Sequence, residues 1–383
     1  MHIGFFSSIV TDGHPTSGYE LANEAIVEGL RSLGHAVSVI GFRLPRQHEA
    51  DRVYPIAVTN LENVEASRLK KAVWLLRAHF SGLPVAAGKL TAFGADRLQN
   101  LVEKHGPFDA HILNSWQMAA AYPMLLEKSF GFVSHNVEHI TAAENSSEAE
   151  TPLNRYLYAR EARLLKAFEE RLCATADWVW ALSESDLDAL PPRRAGGSVL
   201  PLVAPEPEGG TNIGEKSIDI GMIGTWTWQA NTLGLRWFVD EVLPLLPEDL
   251  SISIAGSVPP DIAGANPRIE FVGRVDSASD FLDNVRVIAL ISRGGTGVQL
   301  KTIEAFQAGH TCVATSSSLR GVEMLPANCR TTDQATSFAH ELINLVEASK
   351  AGTLPKVDGK AFAKQQQEAL QNSLNEGLTA IIL

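Results

Sequence analysis

Cysteine is scarce: the 383 residues hold three, Cys173, Cys312 and Cys329, far apart and without metal-ligand spacing. That excludes a disulfide framework and fits buried thiols in a reducing cytosol. Cations are short as well. Lysine and arginine total 32 against 44 aspartates and glutamates, a net charge of −12, so nucleic acid has no electrostatic basis as a partner. No apolar run approaches the roughly 20 residues that span a bilayer. The opening Met1-His-Ile-Gly-Phe-Phe lacks the charged region and cleavage site of a secretory leader, so a soluble, cytoplasmic protein is expected. Missing too is G-x-G-x-x-G in the first loop, which argues against an ordinary dinucleotide-binding dehydrogenase.

What is present is alternation. His2 to Phe6 is predicted as a buried strand, Tyr19 to Leu33 as a helix stopped by Gly34, and Ala36 to Ile40 as a second, parallel strand. Strands are further expected at Ala110–Leu113, Gly131–Ser134 and Trp178–Ala181. Helices are expected around Ala95–His105, Met118–Glu127 and Leu153–Ala174. Pro191-Pro192, Gly196-Gly197 and the Pro/Gly/Glu-rich 201–214 then mark a linker. Alternation restarts with strands at Asp219–Ile223, Ser251–Ala255, Ile269–Gly273, Val287–Ile291 and Thr311–Thr315. Helices near Leu233–Leu243, Asp280–Asn284, Ala335–Ser349 and Ala361–Leu378 complete the pattern. The expected fold class is therefore α/β, with two Rossmann-like doubly wound domains facing each other across a cleft. Their expected bounds are 1–200 and 201–360, with a terminal helix at 361–383 packing back on the first. Ligands in such sheets bind at the carboxyl edge of the strands.

The stretch from Ile291 to Gly309 carries the most chemistry. A buried strand runs into Arg293-Gly-Gly-Thr-Gly297, and from Val298 the spacing of Leu300, Ile303 and Phe306 is helical. Strand, glycine-rich turn and helix N-terminus together make an anion site. Lys301 and Glu304 share one helix face near that end. An ammonium there suits a phosphate, and a carboxylate can accept from a ribose diol, which points to a nucleotide-sugar.

Phe271-Val-Gly-Arg-Val275, Gly294-Gly-Thr-Gly-Val-Gln-Leu-Lys-Thr-Ile-Glu304 through Gly309, and Val313-Ala-Thr315 with Arg320-Gly321 together resemble family 4-type glycosyltransferases (glycosyl transferases group 1) of the GT-B fold. Collinear with them are Ile223-Gly-Thr-Trp226, Trp237 to Pro244, Ser17-Gly-Tyr-Glu20, Ser134-His-Asn136 and Leu182-Ser-Glu-Ser-Asp186. The resemblance implies that Glu304 binds the donor ribose and that Lys301 and Arg293 hold the diphosphate. Gly295, Thr296, Gly297, Val298 and Gln299 would form the turn against it. Gly224, Thr225 and Trp226 would face the phosphates, and Arg274 and Val275 would frame the base. On the acceptor side it implies Ser17, Gly18 and Asn136, with His135 near the transferred sugar. The sequence departs from the family at Thr296, where the first glutamate of the E-x7-E element belongs. It departs again after the first strand of the second domain, where Thr225 and Trp226 replace the usual Gly-Arg…Lys pair.

Three other features carry less. His135 and His139 stand at i, i+4, but the His-Glu-x-x-His order and a third ligand are missing, so no metal site is expected. Asp186-Leu-Asp188 falls in a predicted helix, where its carboxylates point apart, and is read as surface. Arg68 to Phe80 is the most basic stretch of an acidic chain, with Trp74, Leu75 and Phe80 among its cations, and suits peripheral contact with an anionic membrane. The function implied is a retaining, hexosyl-type transfer from a nucleotide diphosphate-sugar to a glycan or lipid-linked glycan in polysaccharide biosynthesis, without cofactor or metal. A GT-B sugar-nucleotide epimerase or hydrolase, and a non-catalytic nucleotide-sugar-binding subunit, are the alternatives.

Overall fold

Runs of β-branched and aromatic residues, each too short to cross more than one sheet, alternate with amphipathic segments, and this order folds into two parallel sheets. The computed structural model describes residues 1–61, 67–204, 216–227, 229–263, 266–355 and 357–382. It divides into two units, Met1–Leu202 with Gln367–Leu383, and Val203–Gln366.

The first unit runs β1 (His2–Ser7), α1 (Gly18–Ser32), β2 (Ala36–Arg43), β3 (Val53–Val58), α2 (Arg68–Ser81), α3 (Val85–Leu90), α4 (Ala95–His105), β4 (Ala110–Asn114) and α5 (Trp116–Ala121). It continues with β5 (Phe130–Ser134), α6 (Glu138–Glu148), α7 (Pro152–Thr175), β6 (Trp178–Ala181), α8 (Glu184–Ala189) and β7 (Gly197–Val199). The strands lie in the order β3-β2-β1-β4-β5-β6-β7. All pairs are parallel, with Phe5 opposite Val39 on one side and Ile112 on the other. Phe6, Ile40, Leu113, Phe132 and Leu172 belong to one buried cluster of this unit.

The second unit runs β8 (Ile218–Ile223), α9 (Gln229–Trp237), β9 (Ile252–Ala255), α10 (Pro260–Ala263), β10 (Ile269–Gly273), α11 (Ala278–Asp283) and β11 (Val285–Leu290). Then come α12 (Leu300–Gln307), β12 (Cys312–Ala314), β13 (Cys329–Thr331), α13 (Ala335–Lys350) and α14 (Gly359–Ile382). Its sheet is also all parallel, in the order β10-β9-β8-β11-β12-β13. Ile220, Ile254, Val287, Phe238 and Leu342 lie in its core.

Helix α14 begins in the second unit, and from Gln367 its residues belong to the first. There Leu370, Leu374, Leu378 and Ile381 are buried. The indole of Trp180 donates to the Ser373 carbonyl at 3.0 Å. Gly377 lets the helix approach that ring: a Cβ at this position would stand 2.1 Å from it.

Several expectations change. β3, β7 and β13 were not expected. The first carries Pro55 and a register irregularity against β2, as edge strands tolerate, and the other two have three residues each. Helix α6 has too many polar residues (Glu-His-Ile-Thr-Ala-Ala-Glu-Asn) for its spacing to show. The helix expected from Val298 starts at Leu300, because Gln299 is still non-helical and acts as N-cap. Asp186 is not a surface residue. It is buried, and its Oδ2 accepts from the Ser183 hydroxyl at 2.7 Å while its N–H donates back at 3.2 Å. Asp188 is exposed. Of the predicted linker, 205–214 lies outside the described residues.

Candidate active site

In each sheet the strand order reverses once: between β8 and β11 in the second unit, and between β1 and β4 in the first. Loops leaving the carboxyl ends of such a pair diverge to opposite faces and leave a crevice, where ligands of open α/β sheets bind.

At the β8–β11 reversal the two loops are 224–226 and 291–299. Gly294, Gly295 and Gly297 have φ of +76°, +77° and +79°, a region that side chains disfavour. Arg320 clasps the turn, its Nε donating to the Gly297 carbonyl at 2.8 Å and a terminal nitrogen to Gly294 at 2.9 Å. Ser317 Oγ accepts from Gly294 N–H at 3.3 Å, and Ser318 Oγ from Ser292 N–H at 2.8 Å. Helix α9 packs against the entry to this turn through Gly234, where a Cβ would lie 1.7 Å from the Ile291 oxygen.

Lys301, in the first turn of α12, reaches across to the other loop. Its Nζ donates to Asn231 Oδ1 at 3.2 Å, lies 5.2 Å from the Trp226 ring centroid, and is 3.6 Å from where a Cβ on Gly224 would stand. Burial, with Arg320 as a lesser cause, lowers its pKa to about 8. Glu304, one turn on, is pushed up to about 6 by burial. Both groups are half-buried, where a charged form is less well solvated than at the surface and an oppositely charged partner gains more. The remaining second-unit residues divide. Gly224 and Thr225 line this crevice, and the Thr225 carbonyl accepts from Asn231 Nδ2 at 3.1 Å. Trp226 is a buried floor beneath Lys301, its indole donating to the Ala255 carbonyl at 2.8 Å. Arg293 turns elsewhere: its guanidinium lies 4.5 Å over Trp237 and donates to the Asp333 carbonyl at 3.4 Å. Arg274, exposed, and Val275, half-buried, follow β10, two strands from the reversal.

At the β1–β4 reversal a polar network replaces the apolar core. Asn114 Nδ2 donates to Asn23 Oδ1 at 2.6 Å and to Ser7 Oγ at 3.3 Å. Its Oδ1 is then the acceptor for His135 Nε2, at 2.8 Å. That fixes the tautomer: Nε2 carries the hydrogen and Nδ1 keeps the lone pair. Burial drives the His135 pKa down to about 4, so the ring is neutral. Tyr19 lies 4.8 Å from it, centroid to centroid, its hydroxyl between Ser7 and Ser8. Ser115, the next residue after β4, has φ +72°, a strained conformation of the kind found at functional sites. Ser17 caps α1 by accepting from Glu20 N–H at 3.3 Å, with Gly18 as the first helical residue. Glu20, buried, also takes Arg46 and Gln47 and so ties this loop to the segment after β2. Asn136 contacts Glu138 at 3.5 Å.

His135 and His139 do separate work. His139 Nδ1 pairs with the buried Glu169 at 2.5 Å, and Glu169 also accepts the Glu138 N–H at 2.8 Å. Asn23 and Asn114 were missed in the sequence, and Tyr19 stood in the Ser17-Gly-Tyr-Glu20 motif without a role of its own. The one available signal was that Asn114 is a polar residue immediately after the predicted strand Ala110–Leu113. Among the described residues no three His, Cys, Asp or Glu side chains converge as a metal site, and no helix is long and apolar enough to cross a membrane.

Residues 217–348 match the family model for glycosyl transferases group 1. No curated protein sequence matches the chain. Among solved structures the chain is similar to WaaG, a glycosyltransferase involved in lipopolysaccharide biosynthesis (TM-score 0.57, 14% identity, 99% of each chain). It is also similar to HepE of Anabaena in complex with UDP (TM-score 0.58, 14% identity, 99% of this chain and 100% of that one). A third is the E. coli protein titled trehalose-6-phosphate, bound with UDP-2-fluoro glucose (TM-score 0.58, 12% identity, 100% and 98%). With its two parallel sheets of seven and six strands, the chain has the GT-B fold of these proteins.

Proposed function

From a GT-B chain whose second unit matches the group 1 glycosyl transferases, we propose a glycosyltransferase that moves a sugar from a nucleotide diphosphate-sugar to a glycan or lipid-linked glycan, with retention at the anomeric carbon. One observation supports this most: the Lys301 ammonium lies against Gly224, beside a clasped glycine-rich turn, at the reversal of the second sheet. Breaking the anomeric C–O bond leaves negative charge on the departing diphosphate. Lys301 and the peptide N–H groups of the turn and of α12 are fixed before that charge appears, and so lower the barrier without reorganising. Glu304 accepts from the ribose diol. Neutral His135 accepts a sugar hydroxyl at Nδ1, and Asn114 holds its ring. Arg293 supports the turn from the Trp237 side. The diphosphate charge falls to protein cations, so turnover is expected to persist in EDTA. The retaining outcome rests on the family resemblance, and NMR of the product's anomeric configuration tests it.

Helix α2 exposes Leu69, Leu76 and Phe80 beside Lys70 and Lys71. This supports work at the inner membrane face, where a lipid-linked acceptor is presented. Thr296 in place of a carboxylate favours a second reading, a nucleotide-sugar-binding subunit without turnover. Thermal-shift screening against UDP-, GDP-, ADP- and dTDP-sugars, followed by donor-consumption assays with and without acceptor, separates the two. Stabilisation by one nucleotide class with product formation is the expected result. Stabilisation without any donor consumption would favour the subunit, and no stabilisation by any of the four would reject both.

A further inference from the structure

At the start of α9, Asn231 bridges the two sides of the crevice at the β8–β11 reversal. Its Nδ2 donates to the Thr225 carbonyl at 3.1 Å, and its Oδ1 accepts from Lys301 Nζ at 3.2 Å. Neither partner leaves a choice of orientation, because a carbonyl only accepts and an ammonium only donates. The carboxamide is therefore held one way round, with its oxygen toward Lys301. The next residue, Thr232, donates its hydroxyl to the Trp226 carbonyl, so the same helical turn secures the loop to which Asn231 is tied.

What this partner lacks is charge. Among the described residues Lys301 forms no ion pair. The Gly224-Thr225-Trp226 loop below it has no carboxylate. Arg293 turns to Trp237, and Glu304 lies one turn on along the same helix as Lys301. Arg320 is the charged group that acts on Lys301, a lesser cause than burial of its lowered pKa. A half-buried ammonium met by an amide dipole is held in place without being neutralised, so its charge stays available to an incoming anion. Aspartate has nearly the same shape and would do the opposite. It would neutralise Lys301, and it would set a carboxylate oxygen against the Thr225 carbonyl with no hydrogen between them. Of the two, the amide alone satisfies both neighbours.

We propose that Asn231 is a positioning residue of the donor site: it orients the Lys301 ammonium across the crevice and leaves its charge for the diphosphate. This role rests on the donor reading above and adds to it a residue that acts through Lys301. A side chain that served only to tie down the loop would affect Lys301 alike when replaced by alanine or by aspartate. One that governs the ammonium would give opposite effects. A neighbouring carboxylate favours the charged form and raises the Lys301 pKa, whereas loss of the acceptor disfavours that form and lowers it.

Competitive labelling with acetic anhydride, read at Lys301 by mass spectrometry across pH, follows the titration of that amine in protein without nucleotide. Calorimetry with UDP, GDP, ADP and dTDP measures binding in the same preparations. In Asn231→Asp the Lys301 midpoint is expected to rise by about one pH unit or more, and in Asn231→Ala to fall. The tightest-binding of the four nucleotides should bind Asn231→Asp roughly tenfold or more less tightly than wild type at neutral pH. Midpoints that move the same way in both variants, or in neither, would overturn the proposal. So would equal affinity of wild type and Asn231→Asp for that nucleotide. Failure of the wild type to bind any of the four is a different result: it would reject the donor site itself, and this role with it, whatever the midpoints.

Discussion

At the scale of single residues, the site depends on half-buried side chains whose charge is incompletely solvated. Burial lowers the Lys301 pKa to about 8, and a bound diphosphate favours its charged form. Affinity for UDP should therefore fall as pH rises through about 8, and Lys301→Arg should flatten that dependence; calorimetric titrations across this range decide it. Lys301→Ala should lower turnover about 10²- to 10³-fold, the usual effect of deleting one fixed donor, and steady-state kinetics with the matching donor would show it. Glu304 is shifted the other way, upward. Its folded pKa, about 6, lies above the ordinary 4.5. The contribution to stability is thus full below about 4.5 and lost as pH rises through about 6. Glu304→Gln should be more stable than wild type at neutral pH by about 1–2 kcal/mol, read from urea melts, while binding nucleoside less tightly. Much of the Lys301–Glu304 arrangement was visible in the chain, because both lie in one short window. The Asn114–His135 pair was not, because its members stand 21 residues apart and meet only where two strand ends lie side by side.

At the scale of elements, close backbone approach decides what a position tolerates. Gly234 admits α9 against the Ile291 oxygen, so Gly234→Ala must push the helix off or bend the strand end. A cost of about 1–3 kcal/mol is expected, with weaker UDP binding, checked by a chemical melt and a titration on the same sample. The long apolar elements were predictable from periodicity: the helix expected at Leu153–Ala174 is α7, and the strand at Trp178–Ala181 is β6. Elements with little apolar periodicity were not. β3 interrupts its pattern with Pro55, and α6 offers mostly polar side chains. The start of α12 moved from Val298 to Leu300 for a local reason, since the turn's positive φ values continue to Gly297 and leave only Val298 and Gln299 to enter the helix.

At the scale of the whole molecule, the two units do not divide the chain into two consecutive pieces. Leu370, Leu374, Leu378 and Ile381 are buried in the first unit, each worth about 1.5–3 kcal/mol of apolar burial. Their sum is comparable with the entire stability of a domain. A chain ending at Gln366 should therefore lose the first unit's protection against limited proteolysis while the second unit's fragments persist, as mass spectrometry of the digests would show. The same arrangement sets an order of events during synthesis. When Leu202 leaves the ribosome the first sheet is fully translated, yet the helix that covers Trp180 does not exist. At ordinary elongation rates it follows roughly 10–40 s later, after every residue of the second unit. The nascent chain must carry an uncovered apolar face through that interval, so the half made first is the half that matures last.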